Sequence, residues 1–165
     1  MNISKCTYHD LIEVMFLVRQ CANELEKENI NQWDPKNPDI EQFKKSIESE
    51  NLFIYKLRGV PVATISLLGN ENDNGGIKQK IIYIDKIAVH PNWQHKGIGK
   101  QILTFAEEHA YNKGYNLIMV RFPKNNNSAL NFFQSAGFCV SHFSSEDNSD
   151  KDFILLEKKL QQVMV

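Results

Sequence analysis

Ile81-Ile82-Tyr83-Ile84-Asp85-Lys86-Ile87-Ala88-Val89-His90-Pro91-Asn92-Trp93-Gln94-His95-Lys96-Gly97-Ile98-Gly99-Lys100 is the stretch that decides how the chain folds. Its first part, Ile81 to Val89, is an apolar, β-branched run with the length of a buried strand. His90-Pro91 stops it, because proline has no amide hydrogen for a ladder. Past the Gly97-Ile98-Gly99 turn, Ile102, Leu103, Ala106, His109 and Ala110 keep helical spacing, and Gly114 closes the helix. A strand that passes through a glycine turn into a helix aims the unpaired N–H groups of the helix start at an anion. Glycines at 97 and 99 remove the side chains that would hold a diphosphate off the backbone, and Lys96 and Lys100 add positive charge. The stretch is a phosphate cradle by construction.

Upstream, a first strand around Asn2 to Cys6 precedes Leu11, Val14, Met15, Val18, Ala22 and Leu25, which share one helix face. Thr7 with Asp10 three residues on is its start signal. Asn31 to Pro38 is turn-rich, and Asp39 with Gln42 resembles a capping box ahead of Ile40, Phe43 and Ile47. Leu52 to Leu57 and Val60 to Leu68 are β-rich runs joined at Arg58-Gly59, which predicts a hairpin. Gly69 to Lys80, rich in Asn and Gly, reads as a mobile loop. Downstream, Tyr115 to Phe122 is a strand, and Asn125 to Asn127 open a helix carrying Ala129, Phe132, Phe133 and Ala136, with Gly137 at its C-terminal end. Phe138 to Phe143 and Phe153 to Leu160 are two last strands separated by the acidic loop Ser144 to Asp152. This order predicts an α/β (or α+β) class, a mixed sheet with helices on its faces, and one domain over residues 1–165 with no repeat or linker.

The totals narrow the function. A chain of 165 residues with 42% hydrophobic and 24% charged content has the size of one globular domain. Its 19 Lys and Arg against 20 Asp and Glu leave a formal charge of -1, with no field of one sign to attract nucleic acid or an anionic membrane. Cys6, Cys21 and Cys139 are widely spaced and odd in number, which suggests neither a disulfide framework nor a zinc site. No signal peptide or spanning segment is evident, so the expectation is a cytoplasmic protein with free thiols and no metal.

Two familiar phosphate loops fail the spacing test. A P-loop needs Gly-x-x-x-x-Gly-Lys followed by Ser or Thr, and here Gln101 follows Lys100. A dinucleotide fingerprint needs a third glycine, and position 102 is Ile. What remains is a Gln-x-x-Gly-x-Gly pattern, Gln94, Gly97 and Gly99, after a strand ending Ala88-Val89-His90-Pro91. A second pattern lies downstream: Asn126, Ala129, Phe133, then Gly137-Phe138. The two together resemble the GNAT superfamily of acetyl-CoA-dependent N-acyltransferases, most closely from Ile84 to Phe138 and in element order along nearly the whole chain.

The resemblance implies a mixed, mostly antiparallel sheet of about seven strands with about four helices, and acetyl-CoA as co-substrate. It implies that the backbone of Ile87, Ala88 and Val89 pairs with the pantetheine arm, and that the segment Gln94 to Lys100 binds the cofactor, with the N–H groups of His95, Lys96, Gly97, Ile98, Gly99 and Lys100 taking the pyrophosphate. Asn126 would reach the thioester end, Phe133 would line its channel, and Trp33 and Glu28 would border the acceptor. A neutral amine would attack directly, with the Ala88 N–H polarising the carbonyl. Asp85 is the first candidate base, and Glu24 or Glu28 the second. The family usually carries a Tyr as general acid where this chain has Phe133; Cys139, His142 or a water could stand in. The acceptor expected is a small-molecule amine, with a peptide amine, a non-catalytic acyl-CoA sensor and a plain nucleotide binder as alternatives. A C-terminal strand that could pair across a dimer leaves a homodimer open.

Overall fold

The structure, a computed structural model, describes residues 2–36, 38–74, 77–142 and 151–161. Among them are β1 (Ile3–Lys5), α1 (Leu11–Lys27), α2 (Ile40–Glu48), β2 (Leu52–Leu57), β3 (Val60–Asn74) and β4 (Ile77–Val89). Then come α3 (Ile98–Asn112), β5 (Leu117–Pro123), α4 (Asn127–Ser135), β6 (Cys139–Val140) and β7 (Phe153–Lys159). The strands form one sheet in the order β1-β2-β3-β4-β5-β7-β6. β4 and β5 run parallel, whereas β1 with β2, β2 with β3, β5 with β7 and β6 with β7 are antiparallel. Among the described residues this is the mixed, mostly antiparallel sheet with four helices that the resemblance implies. No helix among the described residues is long and apolar enough to cross a membrane.

The chain packs as two compact units, Met1–Leu67 with Lys86–Thr104 and Leu68–Asp85 with Phe105–Val165. In the first, α1 buries Leu11, Val14 and Val18 against Phe43 and Ile47 of α2 and Leu52 and Ile54 of β2. Side chains of this kind contribute about 1.5–3 kcal/mol each when fully buried. The Asp39 carboxylate accepts from the Gln42 N–H at 3.2 Å, which starts α2. The β2–β3 turn is left-handed at both residues, φ +51 at Arg58 and +82 at Gly59, the twist that a two-residue hairpin turn needs. Thr7 and Asp10 cap not α1 itself but a 3-10 turn, Tyr8–Asp10, that leads into it.

In the second unit, Ile81 of β4 and Leu117 and Met119 of β5 form a buried cluster with Tyr83 and Leu155 packed on it. Phe133 of α4 stacks on Phe122 of β5 with ring centroids 5.6 Å apart and meets Phe132 and Phe138 edge-on at 5.1 and 5.2 Å. Gly137, with φ +92, ends α4 as predicted.

Three expectations need correction. The segment Gly69 to Lys80, read as a loop, is mostly strand, because β3 runs to Asn74 and β4 starts at Ile77. A ladder is held by backbone groups, so polar side chains do not end it, and hydrophobic patterning sees only its buried part. Residues 75 and 76 are outside the described set. Gly97-Ile98-Gly99 is not wholly a turn, since α3 begins at Ile98 and Gly99 occupies its first turn. The strand expected from Phe138 to Phe143 is limited to Cys139 and Val140 among the described residues; Phe143 is outside them, as is most of Ser144 to Asp152.

Asp10 is 7% exposed and receives the Lys56 ammonium at 2.6 Å, the Thr7 N–H at 2.9 Å and the Thr7 hydroxyl at 2.8 Å. Burial alone would raise its pKa, but the Lys56 and Thr7 donors outweigh burial and hold the carboxyl below the usual range. A depressed carboxyl stabilises the fold above its unfolded value of about 3.9 and ceases to as pH falls through the folded value. Asp10→Asn should therefore cost about 1–3 kcal/mol at pH 7, with the gap closing below about pH 4, as read by urea unfolding across pH. Burial pushes the thiols of Cys6 and Cys21 up to about 12, while Cys139 is exposed. Iodoacetamide should label Cys139 in the native protein and reach the other two only after denaturation, which peptide mass spectrometry reads.

Candidate functional site

The parallel ladder pairs Ile81, Ile82, Tyr83 and Ile84 with Leu117, Ile118, Met119 and Val120 and goes no further, although β4 continues to Val89. Two residues beyond the last pair, Lys86 takes φ +48 in mid-strand. A residue without glycine's freedom costs roughly 1–2 kcal/mol in that conformation, and an isolated one inside a strand marks a bulge that re-aims the next residues. The Lys86 ammonium is 5.7 Å from the centre of the Phe43 ring. After the bulge come Ile87, Ala88 and Val89, the residues expected to meet the pantetheine arm.

Ala88 is buried beside Leu17 and Cys21, and Trp33 packs on this cluster. One of the two expected acceptor residues thus packs on the cluster that contains the residue expected to polarise the thioester. The other, Glu28, is exposed where α1 ends.

Beyond β4 the chain turns in short steps. The His90 N–H donates to the Val62 carbonyl of β3 at 2.8 Å, and the His90 ring nitrogen Nδ1 accepts from the Asn92 N–H at 3.2 Å, capping the 3-10 turn Pro91–Trp93. His90 is therefore a loop-fixing residue. His95 and Gly97 both take positive φ, +58 and +82. A Cβ built at Gly97 would meet nothing within 4 Å, so the backbone there is open to a ligand. The Gln101 N–H bonds the Gly97 carbonyl at 3.1 Å, opening the ladder of α3. The N–H groups of Ile98, Gly99 and Lys100 precede that bond and have no carbonyl within the helix. The residues present therefore fit a diphosphate.

Charge is available at the same place. Lys96 and Lys100 are exposed, and the Lys96 ammonium is 4.8 Å over the Trp93 ring, which keeps it within the loop. The Gln94 side chain bonds inward, its Nε2 donating to the Val89 carbonyl at 3.0 Å. That carbonyl also accepts from the Cys21 thiol at 3.2 Å. Sequence reading passed over Trp93 and gave Cys21 no role beyond a structural thiol; 68 residues separate Cys21 from its acceptor, and no pattern in the chain announces the contact.

Glu24, the other candidate base of α1, is ion-paired with Lys27 at 2.6 Å, and the remaining candidates belong to the second unit. Asp85 is partly buried on β4, directly before the bulge residue. Asn126 is 6% exposed, and its carboxamide oxygen accepts from the Ala129 N–H at 3.0 Å, so it caps α4. Phe133 is 2% exposed, which leaves the place of the usual tyrosine filled by hydrocarbon. Cys139 and His142, the named stand-ins, are both exposed. Among the described residues no group of three or more His, Cys, Asp or Glu is placed to hold a metal ion.

Residues 18–138 match the model of the Acetyltransferase (GNAT) family. An uncharacterized N-acetyltransferase from the pepI 3' region of Lactobacillus delbrueckii subsp. lactis is 26% identical over 106 residues, covering 62% of this chain and 61% of that relative's length. The crystal structure of PaiA N-acetyltransferase from Thermoplasma acidophilum, in complex with coenzyme A, superposes with a TM-score of 0.77 at 18% identity over 95% of this chain and 97% of that one. A GNAT-family acetyltransferase from Staphylococcus aureus Mu50 gives 0.74 at 17% identity over 97% and 99%. The bulge of β4, the glycine loop and the start of α3 fall inside the matched segment, and the chain belongs to the GNAT acetyltransferase family.

Proposed function

We propose that this chain, acting as one acetyltransferase domain over residues 1–165, is an N-acetyltransferase that moves the acetyl group of acetyl-CoA to the amine of a small-molecule acceptor. The observation that supports it most is the left-handed Lys86 just past the end of the parallel ladder, followed within 12 residues by the start of α3. The backbone groups of Ile87, Ala88 and Val89 would receive the pantetheine arm as a neighbouring strand would. The N–H groups of His95 to Lys100 would hold the diphosphate, with Lys96 and Lys100 offsetting its charge. Asn126, while capping α4, would face the thioester end, and Phe133 would keep that channel dry. The Thermoplasma acidophilum relative binds coenzyme A, which agrees with this co-substrate.

The chemistry asked of the protein is modest. An amine must lose its proton before it attacks, and Asp85 is the proposed acceptor of that proton, directly or through a water. An amide N–H aimed at the carbonyl, that of Ala88, would stabilise the charge that develops on oxygen. A thiol with an ordinary pKa of about 8.5 departs tolerably as thiolate near neutral pH, so Phe133 is compatible with turnover. Trp33, packed on the cluster of Leu17, Cys21 and Ala88, would form one wall of the acceptor site, and Glu28 would border it. The buried Phe133 also favours a second reading, an acyl-CoA sensor that binds without turnover.

Incubating the protein with acetyl-CoA and a panel of small amines and peptides, while following free thiol, separates the readings. Thiol release with one or more small amines is the expected result; binding of acetyl-CoA with no release on any amine would make the chain a sensor, and release with peptides alone would move the acceptor class. The pH profile has a definite sign. kcat/KM should rise by about tenfold per pH unit below the amine's pKa, because only the neutral amine attacks. Asp85→Asn should lower kcat by at least about a hundredfold, measured on the same thiol signal.

A further inference from the structure

The carbonyl of Val89 is where β4 ends, and it accepts two hydrogen bonds from side chains far apart in sequence. Gln94 Nε2 approaches at 3.0 Å from the glycine loop, and Cys21 Sγ at 3.2 Å from α1. A peptide carbonyl has two lone pairs, so these two donors use its capacity. The Val89 carbonyl is therefore taken, and the Gln94 carboxamide spends one of its N–H donors on it.

We infer that Gln94 and Cys21 are positioning residues that clasp the end of β4 to the diphosphate loop and to α1, fixing the distance between the two places where one coenzyme A molecule is held. This rests on the proposed function, since it takes the loop and the strand as two halves of one site. The physical reason is the one that governs any bivalent ligand. A molecule that contacts two sites through a tether gains from the second contact only as far as the sites already stand at the right separation. The loop needs such a tie, because its residues 93–97 are exposed and both His95 and Gly97 are in left-handed conformations. A bond from Gln94 spans the turn Pro91–Trp93 and links the first loop residue to the last strand residue. Cys21 reinforces it from a different element, and the burial that pushes its thiol up to about 12 keeps the S–H donor protonated.

The mechanism separates the clasp from direct ligation and from general support of the fold. Affinities for coenzyme A, for ADP as the diphosphate half and for pantetheine as the other half are measured by calorimetry or competition on wild type, Gln94→Leu and Cys21→Ala. Gln94 is exposed, so Gln94→Leu leaves the core intact, and Cys21→Ala provides an independent route to the same carbonyl. The clasp predicts that each variant binds coenzyme A roughly three- to tenfold more weakly, the worth of one lost hydrogen bond, while ADP and pantetheine taken singly change by less than about twofold. Loss of ADP affinity in Gln94→Leu by the same factor as coenzyme A would make Gln94 a direct diphosphate ligand and overturn the inference, as would unchanged coenzyme A affinity in both variants. A wild-type protein that does not bind coenzyme A would instead sink the proposed function, so the two failures are told apart by the first measurement.

Discussion

A strand that stops serving its neighbour part way along is the constraint on which the remaining architecture depends. β4 pairs with β5 through Ile84, then passes through Lys86 in a left-handed conformation and continues for three more residues to Val89. Past Ile84 β5 no longer supplies hydrogen-bond partners to β4; the Val89 carbonyl takes Gln94 and Cys21 instead, and in the proposed function an extended, amide-bearing coenzyme arm would pair with backbone groups of Ile87 to Val89. The helix beyond the loop starts with amides in the same need, and there an anion can supply them. One extended molecule with amides at one end and a diphosphate at the other matches both demands.

The surroundings are arranged to hold that geometry still. The His90 N–H anchors to β3, the His90 ring caps the turn, and the Val89 carbonyl is held by Gln94 and Cys21. Trp93 keeps the Lys96 ammonium over its ring. Each of these contacts contributes on the order of 1 kcal/mol. Their role is positional: residues 93–97 of the loop are exposed, so directional bonds do what packing does elsewhere.

Much of this was legible in the residues because certain backbone conformations demand certain side chains. Arg58-Gly59 announced the hairpin, and both residues have positive φ. Gly114 and Gly137 announced helix ends for the same reason. Gln94, Gly97 and Gly99 announced the loop, and Asn126 announced the start of α4. What stayed hidden has no local signature. Lys86 in a left-handed bulge looks in the sequence like any strand lysine. The run Gly69 to Lys80 looks like a loop because its pairing is through the backbone, which composition does not record. Cys21 meets Val89 only once α1 has packed. The glycines also differ in a way spacing alone could not show: Gly97 is needed for φ +82, whereas Gly99 sits in a helical turn that alanine would favour by about 1 kcal/mol. Close approach of the proposed coenzyme to the backbone would explain a glycine there.

That last point gives the most direct test. Gly99→Val, made in a chain whose unchanged circular dichroism shows it folded, is compared with wild type for acetyl-CoA affinity by calorimetry, with Gly97→Val beside it. If the amides at the start of α3 grip the coenzyme's diphosphate, the added side chains weaken binding by at least about tenfold, because each methyl-bearing carbon displaces the anion from the helix start. Affinity equal to wild type in both folded variants would contradict the account, and the assignment of acetyl transfer to this site would fall with it.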